Sequence, residues 1–348
     1  MEIHAKHDKR YNGTGLTGLQ NMGNTCFANS LMQCFSHTYE LNYFLDNGDY
    51  KKLINKKAES LVLMEWDNLR QMMWSEDCII QPGAFINAIR NVAKLKDKML
   101  FTGYAQNDLT EFLVFMIDCF HTSIMRDVDM EIEGEPSSEK DELAVECYTM
   151  MKTMYQNEYS EILDNFYGIH VSHIQSKESD YQKSKPEPFF LLSLPIPNIR
   201  RPSLYGCLNK YVEIEDIGGD NSYFVEETGN YESIQKQLLF WKLPNILVIV
   251  LKRFSNDGSK NCSMIDFPIK SLDLSNYVVG YNSKKYVYDL YGICNHIGHH
   301  GRSGHYTAFV KNAKGKWFLF DDENVDEVNE NMIKTNNAYC FFFRKKNV

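Results

Sequence analysis

A turn rich in Gly and Asn leads into an apolar helical pattern in the stretch Gly18-Leu-Gln-Asn-Met-Gly-Asn-Thr-Cys-Phe-Ala-Asn-Ser-Leu-Met-Gln-Cys-Phe35. Asn and Thr are typical of helix starts, because their side-chain oxygens accept hydrogen bonds from the first backbone N–H groups of a helix. The pattern therefore predicts that Cys26 lies in the first turn. The partial positive charge at that end of a helix favours thiolate over thiol. Cys26 is thus a candidate nucleophile, and it needs a base.

The candidate base is a histidine far along the chain, since the fold brings the members of a catalytic triad together. Residues 304–310 and 316–320 alternate like two strands, with a turn at 312–315 between them. His305 begins the first strand and Asp321 follows the second, so their side chains can face each other. A carboxylate there fixes the tautomer of the imidazole and stabilises the imidazolium. Asp322 competes for this role, but neighbouring strand residues point to opposite faces, so only one aspartate is expected to face the ring.

These residues lie in stretches that resemble sequence boxes of the ubiquitin-specific proteases, a family of cysteine proteases. The stretch around Cys26 is similar to the family's Cys box, and residues 304–310 are similar to its His box. Residues 106–113, Gln-Asn-Asp-Leu-Thr-Glu-Phe-Leu, are similar to the Gln-Gln-Asp box, with Asn107 in place of the second Gln. Residues 187–196 and 243–254 match two further boxes. One motif alone is weak evidence, but five in the family's order, from Leu16 to Phe343, make a specific match.

The resemblance implies the family's papain-like α+β fold, with a helical thumb, a β-sheet palm and β-stranded fingers. The hydrophobic pattern agrees with it, since the pattern is mainly helical up to Gly168 and then changes to period-two strands. We expect a flexible leader over residues 1–15 and a catalytic domain over residues 16–348. Within that domain we expect the thumb at about 16–168, the fingers at about 169–245 and the palm at about 246–345.

The resemblance also implies a catalytic role for each matching residue. Cys26 is the nucleophile, His305 is the acid and base, and Asp321 orients the ring. Asn21, together with the backbone N–H of Cys26, matches the family's donors to the oxyanion. A turn-forming Asn is the alternative interpretation of that position. Asp322 is expected to form a hydrogen bond near the site.

Residues on the substrate side are implied in the same way. Asp108 and Glu111 are three apart on a predicted helix, and on the resemblance they receive the arginines of the ubiquitin tail Leu-Arg-Leu-Arg-Gly-Gly. An ordinary solvated acidic face is the alternative for this pair. Gln106 and Tyr306 are assigned to substrate binding because they stand in matching boxes. The implied partners are ubiquitin and ubiquitinated proteins, and no sequence feature identifies an activating protein partner.

Charge and cysteine content narrow the functional classes. A net charge of −9 argues against non-specific nucleic-acid binding. The nine cysteines are odd in number and mostly lie in apolar runs, so we expect a reducing compartment, cytoplasmic or nuclear, and no secretion. The charged first residues do not resemble a signal peptide. The longest aliphatic run, residues 246–251, is too short to span a membrane and predicts a buried strand.

Two sequence features bear on metals. Many family members bind a fingertip zinc through two Cys-x-x-Cys pairs, but the corresponding residues 175–178 and 225–228 include no cysteine. We therefore predict no structural zinc and no cofactor, with fingers held by strand pairing and packing alone. A second candidate metal site, formed by Cys294, His296, His299 and His300, is crowded into a predicted turn and has no regular ligand spacing.

The function predicted from the sequence is that of a deubiquitinating cysteine protease, which cleaves after the C-terminal glycine of ubiquitin through a thioester on Cys26. Three alternatives stay open: a catalytically inactive ubiquitin-binding module, a protease for a ubiquitin-like modifier, and a papain-like peptidase for ordinary peptides. The presence of every triad residue argues against the first alternative. The acidic pair Asp108 and Glu111 argues against the third.

Overall fold

The computed structural model describes residues 11, 13, 15–103, 105–301 and 303–346. Most of the predicted leader, residues 1–15, therefore lies outside the described residues. Tyr11 is buried against Tyr39 and Trp74, with ring centroids 5.1 and 4.5 Å away, and its hydroxyl donates a hydrogen bond to the carboxylate of Asp46. Packing against the helical region thus extends back to Tyr11, while the boundary at residue 15 stays a prediction.

Helices dominate the first half of the chain. The helices of the described residues are α1 (Cys26–Ser36), α2 (Tyr39–Asp46), α3 (Tyr50–Leu53), α4 (Ser60–Met73), α5 (Gly83–Leu95), α6 (Leu109–Ile124), α7 (Glu139–Glu158), α8 (Glu161–Phe166) and α9 (Leu204–Tyr211). None of these described helices combines the length and the apolar composition needed to cross a bilayer.

Strands dominate the second half of the chain. The strands of the described residues are β1 (Gly18–Leu19), β2 (Ile79–Ile80), β3 (Gly168–Ser176), β4 (Gln182–Phe189), β5 (Leu191–Leu194), β6 (Glu215–Ile217), β7 (Tyr223–Val225), β8 (Asn230–Glu232), β9 (Ile234–Lys242), β10 (Ile246–Leu251), β11 (Leu272–Asp273), β12 (Val287–His300), β13 (Ser303–Lys311), β14 (Trp317–Asp321), β15 (Asn324–Val328) and β16 (Ala338–Lys345). This separation of helices from strands confirms the predicted α+β class.

The largest sheet corresponds to the predicted palm. Its strand order is β15-β14-β13-β12-β16-β10-β5, and β11 pairs with β12 outside that order. All six residues of β10 are buried, which confirms the buried strand predicted at residues 246–251. Burial on both faces follows because the helical region covers one face of the sheet and a second apolar cluster, which includes residues of α9, covers the other.

The predicted fingers contain a second sheet of order β4-β3-β9-β6 and the separate hairpin β7–β8. Two elements inside the predicted range 169–245 belong elsewhere. Strand β5 pairs in parallel with β10 in the palm sheet, and α9 packs on the same apolar cluster. The prediction that the whole range forms fingers is therefore wrong for these elements. The reason is the apolar side of β5, where Leu192 and Leu194 are fully buried against the palm.

Helix α1, which begins at the candidate nucleophile, lies in the main apolar core. All 11 of its residues are buried, and it packs between α6 and β13. The Phe35 ring contacts four other rings at centroid distances of 5.9–6.3 Å, those of Trp66, Phe120, Phe166 and Phe342. Burying each large apolar side chain contributes about 1.5–3 kcal/mol. Close packing on every side fixes the helix, and with it the position of Cys26.

Candidate active site

Cys26 is the first residue of α1, and the turn before it is organised by Asn21. The side-chain oxygen of Asn21 accepts hydrogen bonds from the backbone N–H groups of Gly23 and Thr25, both at 3.1 Å. Gly23 has a φ of 89°, a conformation that glycine adopts without strain. The expected Thr cap is not formed, because the hydroxyl of Thr25 accepts from the backbone N–H of Met22 at 2.8 Å instead. Asn21 therefore has the turn-forming role that was the alternative interpretation, and its amide nitrogen is still available to other partners.

His305 lies near the start of β13, between the two predicted partners. Its Nε2 is 2.6 Å from Oδ1 of Asp321, and its ring lies close enough to the Cys26 side chain for the two groups to interact. Because Asp321 occupies Nε2, Nδ1 is the ring nitrogen left for the thiol. The hydrogen bonds with Cys26 and then with Asp321 raise the pKa of His305 to about 9, although partial burial opposes this change. The ring is therefore mainly an imidazolium at neutral pH, the form that stabilises a neighbouring thiolate.

Asp321 and Asp322 have different partners. Asp321 ends β14 and faces His305. Asp322 has a φ of +50° and opens the two-residue turn between β14 and β15, so it is not a strand residue. Its Oδ2 accepts a hydrogen bond from Nδ2 of Asn21 at 2.8 Å, and its Oδ1 accepts one from Nδ2 of Asn29 at 2.7 Å. The left-handed turn thus lets both neighbouring carboxylates reach the site, one bonded to the ring and the other to two amides.

Asn29 is a residue of the site that sequence reasoning missed. It lies one turn after Cys26, is 3% exposed, and also donates to the carbonyl of Leu19 at 3.1 Å. The signal was an Asn one helical turn after the candidate nucleophile, in a segment that the apolar pattern predicts to be buried. Together, Asn21, Asn29 and Asp322 connect the start of α1 to the end of β14. Because an amide NH₂ carries two donors, Asn21 can bind Asp322 and still offer a hydrogen to an oxyanion.

Gln106 supports the backbone that carries the histidine. Its Nε2 donates to the carbonyl of Gly304 at 2.9 Å, and its Oε1 accepts from the N–H of Gly304 at 3.1 Å. A Cβ at position 304 would lie 2.5 Å from Nε2 of His296 and 2.6 Å from the carbonyl of Ile297, so a larger residue would require a rearrangement. Gln106, which the resemblance assigns to substrate binding, therefore contacts the residue next to His305.

A family model provides the comparison that decides the family. The model of the ubiquitin carboxyl-terminal hydrolases matches residues 17–343, most of the chain. The chain belongs to this family. Bovine ubiquitin carboxyl-terminal hydrolase 2 is 31% identical over 345 residues, covering 94% of this chain and 55% of that protein. Drosophila melanogaster Usp2 is 32% identical over 340 residues, covering 95% of this chain and 35% of that protein. The chain thus spans about half the length, or less, of these curated relatives.

Solved structures of the family resemble this fold. A chain of the SAGA DUB module of Ubp8, Sgf11, Sus1 and Sgf73 bound to monoubiquitin has a TM-score of 0.74 and 26% identity, covering 97% of this chain and 70% of that chain. The same kind of module bound to ubiquitin aldehyde has a TM-score of 0.74 and 25% identity, covering 97% of this chain and 71% of that chain. These similarities confirm the predicted papain-like α+β fold.

In this member of the family, the two predicted arginine receptors have different surroundings. Asp108 is the N-cap of α6 rather than a residue on its face, and its Oδ1 accepts from the N–H of Thr110 at 2.7 Å. Its Oδ2 accepts from the hydroxyl of Tyr339 at 3.1 Å. Glu111 lies in the first turn of α6 and is exposed. The expected shared helix face is therefore not formed, and Glu111 is the more accessible carboxylate.

Tyr306 lies beneath the surface of this site. It is 5% exposed, and its ring packs against His296 and Tyr339 at centroid distances of 4.9 and 6.5 Å. Burial, followed by the charge of Asp108, raises the pKa of Tyr306 above its usual range. In this structure Tyr306 therefore contributes to the packing under the site rather than to the surface that the predicted substrate contact requires.

The second candidate metal site is not assembled in this family member. His299 and His300 lie in β12 rather than in a turn, and Cys294 is buried in the same strand. Within the described residues, only one set brings three potential ligand atoms within 4.8 Å of one another: His305, Asp321 and Asp322. Because the two carboxylates of that set already accept hydrogen bonds from protein groups, a cation would compete with the contacts that orient the triad.

The fingertip, where many ubiquitin carboxyl-terminal hydrolases bind zinc, is organised here around Glu232. This residue is 4% exposed and accepts hydrogen bonds from the hydroxyls of Ser176, Ser179 at 2.6 Å and Thr228 at 2.5 Å. The three donors lower the pKa of Glu232, so the carboxylate stays ionised at neutral pH. The prediction that strand pairing and packing alone hold the fingers is therefore wrong. The Glu232 carboxylate connects residues 175–178 with residues 225–228, the two segments that lack the zinc-binding cysteines of other members.

Proposed function

We propose that this chain is a thiol-dependent deubiquitinase that hydrolyses the isopeptide or peptide bond after the C-terminal glycine of ubiquitin. One observation carries the proposal: the His305 ring lies beside Cys26 at the start of α1 and is bonded to the carboxylate of Asp321 at 2.6 Å. Family membership and the ubiquitin-bound structural neighbours support it. An inactive binding module has no need of a histidine that is kept protonated by a thiol and a carboxylate.

The first half of the proposed reaction forms the thioester. The Cys26 thiolate attacks the carbonyl carbon of the terminal glycine, so a C–S bond forms and the carbonyl oxygen becomes an oxyanion. The backbone N–H of Cys26 and the side-chain amide of Asn21 donate to this oxyanion. Cys26 begins α1, and the first N–H groups of a helix have no acceptor within the helix. The His305 imidazolium gives its proton to the leaving amine of the substrate lysine. The C–N bond breaks, and ubiquitin stays on the sulfur.

The second half of the proposed reaction releases ubiquitin. The neutral His305 ring takes a proton from a water molecule, and the resulting hydroxide attacks the thioester carbonyl. The C–S bond breaks, which restores the thiolate beside the imidazolium, and the carboxylic acid formed on ubiquitin loses its proton to solvent. Asp321 keeps Nδ1 of the ring directed at the sulfur and stabilises the imidazolium whenever it forms.

The proposed substrate contacts follow from the accessibility of the two acidic residues. Glu111 is exposed and receives a guanidinium of the ubiquitin tail in this proposal, because an arginine–carboxylate pair is strong and geometrically specific. Asp108 contributes its charge nearby, while its oxygens cap α6 and bind Tyr339. Gln106 and Tyr306 are proposed to act on the substrate only indirectly, through the strand that carries His305.

Compartment and partners form part of the same proposal. All nine cysteines are free thiols, which supports a reducing compartment, the cytoplasm or the nucleus. The SAGA modules contain Sgf11, Sus1 and Sgf73 beside Ubp8, and by analogy we infer that partner proteins bind this chain. Because the triad is assembled in a single chain, such a partner would change substrate choice or affinity rather than triad geometry.

The decisive test is covalent labelling with ubiquitin that carries a C-terminal electrophile. Wild type is expected to form a stable adduct, and Cys26→Ala is expected to form none. Cys262→Ala, which removes an exposed cysteine, is the matched control and should react like wild type. Labelling that survives Cys26→Ala would refute the assignment of the nucleophile. Side-by-side labelling with probes made from ubiquitin and from ubiquitin-like modifiers shows which modifier the chain accepts. Cleavage of diubiquitins distinguishes an enzyme from a binding module.

A further inference from the structure

Two lysines from different elements lie over a buried tyrosine at one end of the palm sheet, and a third lysine is close enough for its charge to act on them. Lys345 lies near the end of β16 and Lys285 lies just before β12, with their Nζ atoms 4.6 and 5.5 Å from the centroid of the Tyr286 ring. Lys242 ends β9 and is close enough for its charge to act on Lys345. Tyr286 is 3% exposed, so Lys285 and Lys345 lie over the outer side of a ring that packing holds in place.

Nearby negative charge does not balance this cluster. Among the ion pairs that the described residues form within 4.0 Å, none includes Lys242, Lys285 or Lys345, whereas the neighbouring Lys346 pairs with Asp289 at 3.6 Å. One carboxylate, that of Asp164, acts on Lys242 from a longer range. Contacts with the Tyr286 ring offset part of the repulsion. In a chain with 46 acidic and 37 basic residues, three neighbouring lysines outside these ion pairs form a locally positive surface.

We propose that Lys242, Lys285 and Lys345 form a binding site for a phosphate-type anion with at least two negative charges. Lys285 and Lys345 share one ring, and with Lys242 nearby their flexible side chains can direct ammonium groups at the oxygens of a single phosphate group. The anion would remove the mutual repulsion of the three lysines, and each N–H donor would form a charge-assisted hydrogen bond. A singly charged anion would neutralise less of the cluster and bind more weakly.

The site lies far from the proposed catalytic residues. Strand β12 runs from Val287, beside the lysines, to His300, and its residue Ile297 pairs with His305. At about 3.3 Å per residue the separation along the strand is roughly 30 Å. Substitutions in the lysine cluster are therefore expected to leave triad chemistry unchanged, which allows labelling with the ubiquitin electrophile to serve as a check of folding.

Protonation gives the site a measurable signature. Burial and the charges of Lys285 and Lys242 lower the pKa of Lys345 to about 8. A bound dianion favours the protonated form, so near that pH Lys345 takes up part of a proton from the buffer as the anion binds. Screening of surface charge by ions does not produce saturable proton uptake at one residue.

Titration calorimetry with pyrophosphate tests the proposal. The full chain is titrated near pH 8 at constant ionic strength, in two buffers with different ionisation enthalpies. We expect saturable binding with proton uptake. Lys285→Gln and Lys345→Gln should each weaken binding roughly tenfold, and Lys345→Gln should also abolish the proton uptake. Lys284→Gln is the matched control, because it removes the adjacent exposed lysine outside the cluster and should bind like wild type.

A second arm identifies the source of the phosphate group. Sedimentation with vesicles that contain phosphatidic acid, compared with phosphatidylcholine alone, tests a lipid headgroup. Binding of both pyrophosphate and the acidic vesicles supports the site and includes lipids among its ligands, whereas pyrophosphate binding alone restricts it to soluble anions. Binding no tighter than that of chloride, equal losses in Lys284→Gln and Lys285→Gln, or binding to vesicles alone would each overturn the proposal.

Discussion

Replacement of Asp321 by Asn tests whether this carboxylate controls the protonation of His305. The Asp321 oxygen is 2.6 Å from Nε2, and the pKa of His305 is raised to about 9 by its bonds to Cys26 and Asp321 together. A contacting opposite charge shifts a pKa by roughly 1–3 units. Because the bond to Cys26 is the larger cause, we expect the loss of Asp321 to lower the pKa of His305 by about one to two units.

The direction of the effect on activity follows from the role of the imidazolium. The protonated ring stabilises the thiolate and protonates the leaving amine, so kcat/KM should fall as the pH rises through the pKa of His305. In wild type this alkaline limb is expected near pH 9, given the pKa of about 9. In Asp321→Asn it should move to lower pH. The maximum kcat should also fall by about 10- to 100-fold, the equivalent of one to two lost pKa units, because Asn can accept from Nε2 but carries no charge to stabilise the imidazolium.

Asp322→Asn is the matched control, since it removes the same charge one residue later. Its carboxylate binds Asn21 and Asn29 rather than the ring, so its loss should reduce kcat through the oxyanion donor and leave the alkaline limb near that of wild type. The assay is the release of a fluorophore from the C-terminus of ubiquitin between about pH 6 and 10, where kcat/KM reports the groups of the free enzyme. An alkaline limb that stays in place in Asp321→Asn, or that moves equally in both variants, would refute the reasoning.

Other residues provide independent tests. Glu232→Ala should accelerate amide hydrogen exchange in the fingertip without changing the rate of Cys26 labelling, and exchange identical to wild type would contradict the role of this carboxylate. His37 is 1% exposed, and burial lowers its pKa from 6.5 to about 4. The free energy of unfolding should therefore decrease by about 3 kcal/mol as the pH falls from 6.5 through 4, because the unfolded chain binds the proton first. Denaturant unfolding of wild type and His37→Gln at several pH values measures this loss, which should be smaller in the variant. Gln106→Ala, which frees Gly304, should reduce kcat about tenfold with little change in KM, whereas a change in KM alone would indicate substrate binding.

Local patterns were sufficient for the main chemistry of the candidate site. The start of α1 at Cys26 follows from the turn residues before it, and the buried strand β10 follows from an uninterrupted aliphatic run. Alternation predicted the hairpin of β13 and β14, although its register pairs Ala308 with Phe320 and so places Asp321 diagonally from His305 rather than directly opposite. A diagonal pair is still within the reach of such side chains. Two-residue periodicity thus predicts which side chains share a face of the hairpin, but it does not predict which residue lies directly opposite which.

Contacts between distant segments were not predictable from these patterns. Gln106 binds the backbone of Gly304, and Asn29 binds Asp322, across separations of 198 and 293 residues. Nothing in the local sequence indicates that Asp322 adopts a positive φ, although this conformation decides which donors it meets. Strand β5 was assigned to the fingers because a short apolar run does not reveal which sheet it joins. The resemblance supplied Gln106 and Asp322 but not Asn29, and the structure supplied the partners of all three.

The fingertip shows how the fingers are connected in a sequence that lacks the zinc-binding cysteines of other family members. Ser176 and Thr228 lie in the two segments where zinc-binding members carry cysteine pairs, and both hydroxyls bind Glu232 on β8. Hydrogen bonds to an ionised acceptor are stronger than neutral ones, yet a structural zinc contributes much more to folding than a few hydrogen bonds do. The same two segments are thus connected by a weaker centre that does not depend on metal supply. Because proton binding weakens this carboxylate centre, acid rather than chelation should be the condition that loosens the fingers.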